Sequence, residues 1–314
     1  MGNFTKGAFF LLAAVLVSCG AESQRGVSPR DSAVQDAGEE TGVSEDAASE
    51  SPEGDLEDAI ARLSRAADGT QPAGDFWNRL RLILEKAEIP EDISRNILST
   101  VMESPSFILD LLFCLEGDPF LYALVDKQHA LPDRYEPSDL VPLGGGSYRV
   151  SRDDLRLREA AALSLEEMAA AAKKEGVIIT VSSAYRSFDY QVEVYERNVR
   201  EMGKAAADRE SARPGFSQHQ TGLTADFGSI TDAFAETEAG RWMAANAGRF
   251  GWSLSFPQGY EDVTGYRWES WHFRYTGKEL NAFIDAYFGG IQQYALRFIH
   301  EWKTAEQTAS SVQE

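Results

Sequence analysis

The feature that most constrains this chain is a short stretch around His219, residues 217–227, with the sequence SQHQTGLTADF. It holds one of only four histidines in the sequence, and Asp226 follows that histidine seven residues later. A second stretch supplies His272, with Glu269 three residues before it. Two histidines and two carboxylates are the side chains of a catalytic zinc site with three protein ligands and an open position. The sequence therefore predicts a fold that brings these two stretches together.

The spacing in the first stretch predicts a turn. His219 and Asp226 are an odd number of residues apart, so on one continuous strand they would face opposite sides of a sheet. Gly222 lies between them and allows the strand to be interrupted. We therefore expect His219 in a turn and Asp226 on the strand that follows.

The same argument assigns roles in the second stretch. If His272 begins a strand, Glu269 lies in the preceding loop and can hang over a metal without binding it. We expect His219, Asp226 and His272 to bind zinc, which lowers the pKa of a bound water toward neutrality. Glu269 would accept that water's proton as it attacks a carbonyl, and then deliver the proton to the leaving amine. Arg186 follows a predicted buried strand, a position that suits binding a carboxylate or a developing oxyanion.

The first residues have the pattern of an export signal. Lys6 precedes an apolar run at residues 8–17 that is too short to span a bilayer as a mature helix. The run ends in LVSC at residues 16–19, which resembles the lipobox of bacterial lipoproteins, where the chain is cut before the Cys and the thiol is lipidated. We expect residues 1–19 to be a lipoprotein-type signal peptide with lipidation at Cys19. An ordinary signal peptide with a chance Cys and an uncleaved anchor are the alternatives.

The next segment is strongly acidic. Residues 20–55 contain no aromatic residue, and from Glu22 to Asp58 twelve acidic residues face only two arginines. Such a segment cannot bury enough apolar surface to offset its ordering entropy, so we expect a disordered acidic tether. The formal charge of −20 for the whole chain argues against nucleic acid as a partner.

The remaining chain predicts an α+β fold, with a small, mostly antiparallel sheet flanked by helices and carrying the zinc site. We expect a helical lead-in at 56–120, a peptidase domain at 121–277, a C-terminal helix at 278–305 and a disordered tail at 306–314. The C-terminal helix is expected to kink at Gly289 and Gly290. The periodicity predicts helices at 153–176, 188–206, 238–250 and 278–302, and strands at 177–183, 223–227 and 252–256.

Three further reactive side chains have structural interpretations. Cys114 lies in an apolar run and would be the only unmodified thiol, so we expect a buried residue and no intramolecular disulfide. His129 has no second histidine near it in sequence to complete a metal site, and is expected to be a surface or hydrogen-bonded residue. His300 is expected on the face of the C-terminal helix.

The two stretches also resemble a known family. The pattern Ser-x-His-x-x-Gly-x-Thr-x-Asp at 217–226, followed by Glu-x-Trp-His at 269–272, is similar to the signature of the VanY-type zinc D-alanyl-D-alanine carboxypeptidases. Their wider group includes D-alanyl-D-alanine dipeptidases and LdcB-type L,D-carboxypeptidases. The sequence SAYRS at 183–187 with Gln191, and the segment 124–137, resemble the blocks that precede their metal site. The resemblance covers residues 124–275, about half of the chain.

This resemblance implies an activity and a set of residues. The activity is removal of the C-terminal residue from peptidoglycan stem peptides. With the lipobox-like sequence at residues 16–19, we expect an exported enzyme that is lipid-anchored in the bacterial cell envelope. The implied zinc ligands are His219, Asp226 and His272, and the implied general base is Glu269. Arg186 would contact the substrate or the transition state, and Gln191 and Ser217 would make further substrate contacts.

The chain departs from the family pattern at two positions. Asp126 stands where the family usually has Asn, with no clear consequence for a metal, and Thr224 stands where it usually has Ala. Thr224 shares the strand parity of Asp226, so we expect it to crowd the metal or to hydrogen-bond a ligand.

Other functions remain open from the sequence. An L,D-carboxypeptidase or a peptidoglycan endopeptidase would use the same fold, and a non-catalytic, zinc-stabilised wall-binding lipoprotein would keep the ligands. Glu269 argues against the last of these, because a structural zinc site needs no base. A penicillin-binding serine mechanism is excluded, because no lysine in the chain has a serine three residues before it.

Overall fold

The computed structural model describes residues 72–104 and 106–311. The expected signal peptide, Cys19, the acidic tether and the start of the helical lead-in lie outside these residues. The described helices are α1 Pro72–Lys86, α2 Glu91–Glu103, α3 Ser106–Leu115, α4 Glu159–Lys174, α5 Phe188–Met202, α6 Lys204–Glu210, α7 Glu238–Asn246, α8 Glu261–Thr264, α9 Lys278–Tyr287 and α10 Gln292–Ser311. The strands are β1 Leu140–Pro142, β2 Arg149–Val150, β3 Arg156–Arg158, β4 Thr180–Ser183, β5 Thr224–Phe227, β6 Trp252–Leu254 and β7 His272–Tyr275.

The sheet confirms the predicted fold class. Five strands form one sheet in the order β2-β4-β5-β7-β6, and β1 and β3 form a separate antiparallel pair. Every neighbouring pair in the larger sheet is antiparallel except β2 and β4. The strands β5 and β7, which carry Asp226 and His272, are adjacent in the interior of this sheet. The two stretches of sequence that hold the candidate ligands therefore meet on strands that each have a neighbouring strand on both sides.

Two hydrophobic cores hold the described chain together. One covers the sheet with α4, whose small buried Ala161 and Ala169 let that helix approach the strands closely. The other joins α1, α2 and α3 to α9 and α10. In this second core the ring of Phe107 in α3 lies 5.3 Å from Phe283 in α9 and 5.5 Å from Phe298 in α10. The helical segments before and after the sheet therefore pack on each other as one layer.

Glycines divide two helices that the periodicity predicts as continuous. Gly203 has a φ of 80°, so the helix expected at 188–206 ends at Met202 and a new one, α6, begins at Lys204. Gly289 and Gly290 have φ values of 61° and 76°, and they separate α9 from α10. A left-handed residue cannot continue a right-handed helix. The prediction of one kinked C-terminal helix was therefore wrong.

The C-terminal tail also differs from the prediction. Residues 306–311, expected to be disordered, continue α10 to Ser311. Trp302 donates from its indole Nε1 to Glu306 Oε1 at 2.9 Å, one helical turn further on. The last three residues lie outside the described part of the chain.

The remaining differences are at the ends of elements. The helix predicted from 153 begins at Glu159, because 156–158 form β3 and pair with β1. The strands β1, β2 and β3 have two or three residues each, too few for an alternating pattern to show. The helix predicted at 238–250 tightens after Asn246 into the 3₁₀ turn Ala247–Phe250. The three predicted strands are present in shorter form.

Within residues 72–311, no single described helix is both long and apolar enough to cross a bilayer. The pair α2 and α3 meets those criteria only when taken together across a bend of 104°.

Candidate metal centre and active site

The sheet register brings Asp226 and His272 side by side. In the antiparallel pair β5–β7, Asp226 lies directly opposite His272, so the two side chains project from the same face. His272 Nδ1 lies 3.1 Å from Asp226 Oδ1. Both side chains are buried. The strand prediction for Asp226 and the loop prediction before His272 are both consistent with this arrangement.

A turn delivers His219 to the same place. His219 lies in the 3₁₀ segment Gln218–Thr221, which ends at Gly222 with a φ of 71°. A Cβ at Gly222 would lie 2.8 Å from Arg158 Cγ and 3.0 Å from Leu140 Cδ2, so only glycine fits there. The turn places His219 Nε2 3.3 Å from Asp226 Oδ2. The turn predicted from the odd spacing is confirmed.

The outer nitrogen of each imidazole determines where its proton lies. His219 Nδ1 is 2.7 Å from the carbonyl oxygen of Ala184, and His272 Nε2 is 3.3 Å from Gln218 Oε1. Both partners are oxygens that can only accept, so both outer nitrogens must donate. In the neutral rings the inner nitrogens, His219 Nε2 and His272 Nδ1, then present lone pairs toward Asp226.

These three residues fit a metal ion. Their ligand atoms all lie within 4.8 Å of one another, and all three residues are buried. Asp226 Oδ1 has no hydrogen-bond partner among the described residues, although an imidazole nitrogen is close to it. Two lone pairs that face a carboxylate without a proton between them repel unless a cation lies there. The donor set of two imidazoles and one carboxylate leaves one position of a tetrahedral metal open.

The charge state of Asp226 suits a ligand. Burial alone would raise the pKa of this carboxyl, but the rings of His219 and His272 outweigh that effect when they are protonated, through their charge and hydrogen bonds. With neutral rings, a cation at the cluster would act in the same direction. The pKa of Asp226 therefore lies well below its usual range, and the carboxylate is ionised.

Glu269 stands beside this cluster without belonging to it. It lies in the loop before β7, where its backbone N–H donates to the Phe256 carbonyl at 3.0 Å. Its Oε2 is 3.5 Å from His272 Nδ1, and the residue is 8% exposed. Burial, with added repulsion from Asp226, raises the pKa of Glu269 to about 7. A cation at the three ligands would oppose that rise.

Arg186 is held at the edge of the same site. Its backbone N–H donates to the carbonyl of His219, and its Nη1 donates to Gln191 Oε1 at 2.8 Å. Asp189, a possible partner in the sequence, instead forms an ion pair with Arg134 at 2.6 Å. Among the described residues no carboxylate lies within 4.0 Å of the Arg186 guanidinium, which therefore remains free to bind an anion.

A cavity of about 290 Å³ opens over these groups. The predicted site residues that line it are Arg186, Ser217, His219, Asp226, Glu269 and His272. Gln191 does not line this cavity. It is fully buried behind Arg186, and its Nε2 donates to the carbonyl of Ala212 at 2.7 Å. Gln191 thus contacts the site through the guanidinium that it holds.

Gln218 is a residue that the sequence reasoning missed. Its Oε1 accepts from the Ser255 hydroxyl at 2.8 Å as well as from His272 Nε2, so the amide oxygen is fixed toward the imidazole. Gln218 lies between Ser217 and His219, but nothing in the sequence pattern indicates a role for it. Its side chain reaches His272 only because of the way the 3₁₀ turn is oriented. Thr224 does not make the hydrogen bond to a ligand that was one of its two expected effects, since its buried Oγ1 has no partner among the described residues.

Replacement of Gln218 by Leu is expected to weaken Zn²⁺ binding about tenfold to a hundredfold, since His272 loses the acceptor that fixes its ring. Gln218→Glu keeps an acceptor at the same position and should bind Zn²⁺ within a few-fold of the parent. Competition with a chromogenic chelator measures both affinities. Equal affinity of the Leu variant and the parent would contradict this positioning role.

The other reactive side chains are structural, as expected. His129 Nδ1 lies 2.8 Å from Asp126 Oδ1, and its ring packs edge-on against His300 at 4.8 Å. Cys114 is buried in the helical core. Burial, with the nearby carboxylate of Asp110, raises the pKa of that thiol to about 12, so it is unreactive near neutral pH.

Comparisons with known proteins cover this part of the chain. A family model described as VanY, D-alanyl-D-alanine carboxypeptidase, matches residues 154–278. The chain is 39% identical to the putative carboxypeptidase YodJ of Bacillus subtilis over 178 residues, which is 54% of this chain and 65% of the relative. It is 32% identical over 204 residues to a D-alanyl-D-alanine carboxypeptidase of Enterococcus faecalis, 62% of this chain and 67% of the relative. The chain thus spans about two thirds of the length of these relatives.

A solved structure is also similar. The LdcB LD-carboxypeptidase, whose structure was described for its peptidoglycan recognition, superposes with a TM-score of 0.50 and 36% identity. The match covers 58% of this chain and 86% of that one. The residues matched by the family model include the three candidate ligands, Glu269 and Arg186, but not α1–α3 or α10.

Proposed function

Because this chain belongs to the VanY family of D-alanyl-D-alanine carboxypeptidases, we propose that it is a zinc enzyme that removes the C-terminal residue of peptidoglycan stem peptides. The observation that carries the proposal is the buried cluster of His219, Asp226 and His272 beneath an open cavity, with Glu269 and Arg186 on its walls. A purely structural zinc site would be closed by a fourth protein ligand. Here the fourth side of the cluster faces the cavity.

The metal and the protein side chains would have different roles in the reaction. Zinc bound at these three residues would supply Lewis acidity toward an oxygen in the cavity. Glu269 Oε2 lies on the cavity side of His272, where it can accept a proton from a water that attacks the peptide carbonyl. The same carboxyl then returns the proton to the leaving amine nitrogen. Arg186 binds the terminal carboxylate and so fixes which peptide bond lies beside Glu269.

The products formed from two stem peptides test this proposal. A D,D-carboxypeptidase converts a pentapeptide stem to a tetrapeptide by the loss of one D-alanine, and leaves the tetrapeptide intact. Mass spectrometry of the products after incubation with each stem reads the outcome directly. No hydrolysis of either stem by the zinc-loaded protein would contradict the proposed function.

The second candidate is an L,D-carboxypeptidase. The similarity to the LdcB LD-carboxypeptidase, at 36% identity, favours it. That enzyme class would shorten the tetrapeptide to a tripeptide, so the same two incubations distinguish the two activities. Cleavage within the peptide, away from its C-terminus, would instead indicate an endopeptidase.

Amidation of the substrate's terminal carboxylate is expected to lower kcat/KM by about thirtyfold to 150-fold. Such a loss corresponds to about 2–3 kcal/mol for one charge-assisted hydrogen-bonded contact. Arg186→Ala should lower activity on the free acid and remove most of its advantage over the amide. Arg134→Ala, which removes a cation that is already paired with Asp189, is the matched control. Equal cleavage of acid and amide by the parent would argue against an exopeptidase.

We further propose that the chain is exported and lipid-anchored in the bacterial cell envelope through Cys19. Support comes from the apolar run at residues 8–17 and the LVSC sequence that ends it. Mass spectrometry of the mature N-terminus should find a lipidated Cys19 as the first residue. Cys19→Ala should abolish lipidation, and a mature chain that begins elsewhere would rule out this anchor.

A further inference from the structure

A second cavity, of about 270 Å³, lies beside the catalytic one. Its lining residues, which we call the cationic pocket, are Lys127, Asp208, Arg209, Ser211 and Arg213. Ser211 lines both cavities, so the two are neighbours in the fold. This pocket takes no part in the chemistry assigned to the metal cluster.

Two of the three cations in this pocket have no ion-pair partner. Arg209 makes two hydrogen bonds to Glu261, at 2.7 and 2.9 Å. Within residues 72–311, Lys127 and Arg213 form no ion pair within 4.0 Å. Lys127 Nζ donates to the backbone carbonyl of Asp208, and Arg213 Nη2 donates to the backbone carbonyl of Lys127 at 2.7 Å. Their charges therefore remain available to a ligand.

Both cations are fixed against aromatic rings that line the catalytic cavity. Lys127 Nζ lies 4.3 Å from the ring centre of Tyr266, and the Arg213 guanidinium lies 4.6 Å from that of Phe216. Since the rings and the backbone carbonyls hold these side chains in place, little ordering entropy is lost when they bind an anion. Tyr266 also has a buried hydroxyl with no hydrogen-bond partner among the described residues.

The electrostatics of the pocket favour an anion. Burial lowers the pKa of Lys127, Asp208 and Glu261 oppose that shift, and repulsion from Arg209 and Arg213 adds a smaller lowering. A bound anion would offset this repulsion. The one carboxylate in the lining, Asp208, is engaged by Lys204 at 2.5 Å, so the lining keeps an excess of positive charge.

We propose that the cationic pocket binds a second carboxylate of the substrate peptide, distinct from the terminal carboxylate at Arg186. This inference rests on the proposed carboxypeptidase function, because it assumes that the adjoining cavity holds a peptide. The substrate class it defines is a peptide with a carboxylate on a residue upstream of the cleaved bond. Lys127 and Arg213 act as specificity determinants and take no part in proton transfer.

Two peptides that differ only in this upstream group test the proposal. One carries the carboxylate, the other a carboxamide, and both have the same free C-terminus. Calorimetry with the full chain carrying Glu269→Ala gives their dissociation constants without turnover. The carboxylate peptide is expected to bind about three- to tenfold more tightly at low salt, and the preference should shrink as ionic strength rises. Equal binding of the two peptides would overturn the proposal.

Variants then locate the preference. Lys127→Met with Arg213→Gln should remove the preference for the carboxylate peptide, and Arg213→Gln alone, an exposed change that leaves the fold undisturbed, should reduce it. Arg249→Gln removes an exposed arginine that lines neither cavity and should keep the preference in full. A preference that survives the double replacement would place the carboxylate elsewhere. A preference in binding without hydrolysis of any stem by the parent would defeat the proposed function and leave the pocket assignment standing.

Discussion

A chain that carries His219→Ala and His272→Ala together is expected to retain less than about a tenth of the parent's zinc and to lose all detectable peptidase activity. The parent should hold about one zinc per chain, because three ligands and one open position complete a tetrahedral site. With both imidazoles removed, Asp226 is the only remaining ligand of the cluster. One carboxylate cannot hold zinc against dialysis. Metal analysis after gel filtration, with a peptidase assay on the same fractions, measures both losses.

The other two histidines supply the matched control. His129 and His300 pack against each other away from the cluster, and neither is part of it. His129→Gln with His300→Gln removes the same number of imidazoles and should leave the zinc content unchanged. Undiminished zinc in the His219 and His272 variant, or equal loss in the control, would contradict the assigned site. A strong chelator should abolish the activity of the parent in the same way.

The local geometry of the candidate site residues could be predicted from sequence, because each lies close to a change of element that the sequence spacing indicates. The seven-residue interval between His219 and Asp226 contains Gly222, and the structure makes its turn at that glycine. The three-residue interval between Glu269 and His272 places one in a loop and the other on β7. The alternation of side chains along a strand was sufficient for these predictions, because each interval crosses only one boundary between a turn or loop and a strand.

The pairing of the two stretches rests on long-range structure. That Asp226 lies opposite His272 depends on the register of β5 and β7, which no local pattern encodes. The groups that accept hydrogen bonds from the outer imidazole nitrogens are likewise positioned by long-range structure. Ala184 offers a backbone carbonyl that any residue would supply, and Gln218 acts through a turn whose orientation is set by tertiary packing. Such contacts carry no signature of residue type.

The helical layer outside the matched family region also contributes to the site. Gln292 at the start of α10 is buried, and its Nε2 donates to the carbonyl of Ser253 at 3.3 Å. The Ser255 hydroxyl donates to Gln292 Oε1 at 3.4 Å and to Gln218 Oε1 at 2.8 Å, and Gln218 Oε1 in turn accepts from His272. The break at Gly289 and Gly290 allows α10 to begin beside β6. A single helix through 278–302, as predicted from the sequence, would not have indicated this contact. The C-terminal helix is thus tied to the metal cluster by a chain of buried hydrogen bonds.

Glu269→Ala is expected to keep zinc and to lower kcat by about a hundredfold to ten-thousandfold, the usual contribution of a general base. Zinc should remain, because Glu269 lies outside the group of ligand atoms that are within 4.8 Å of one another. The fold should also persist. Burial is the main cause that disfavours this charged carboxylate, and the attraction to His272 that is lost with it is partly offset by the lost repulsion from Asp226. Single-turnover kinetics on the zinc-loaded variant, with metal content measured in the same sample, separate loss of proton transfer from loss of metal.

Glu210 provides the control for this change. It lines the same cavity, but its carboxylate accepts from Arg267 Nε at 2.7 Å and is therefore engaged away from the ligands. Glu210→Ala removes an equal charge from the same cavity, and Asp232 still pairs with Arg267 in its absence. We expect turnover within about fivefold of the parent, as for the loss of a partly exposed ion pair. If Glu269→Ala fell no further than Glu210→Ala, the proton would have to be carried by a group other than Glu269. Glu269→Gln distinguishes the two effects further, because it keeps the side chain's volume and hydrogen bonding while it removes the base.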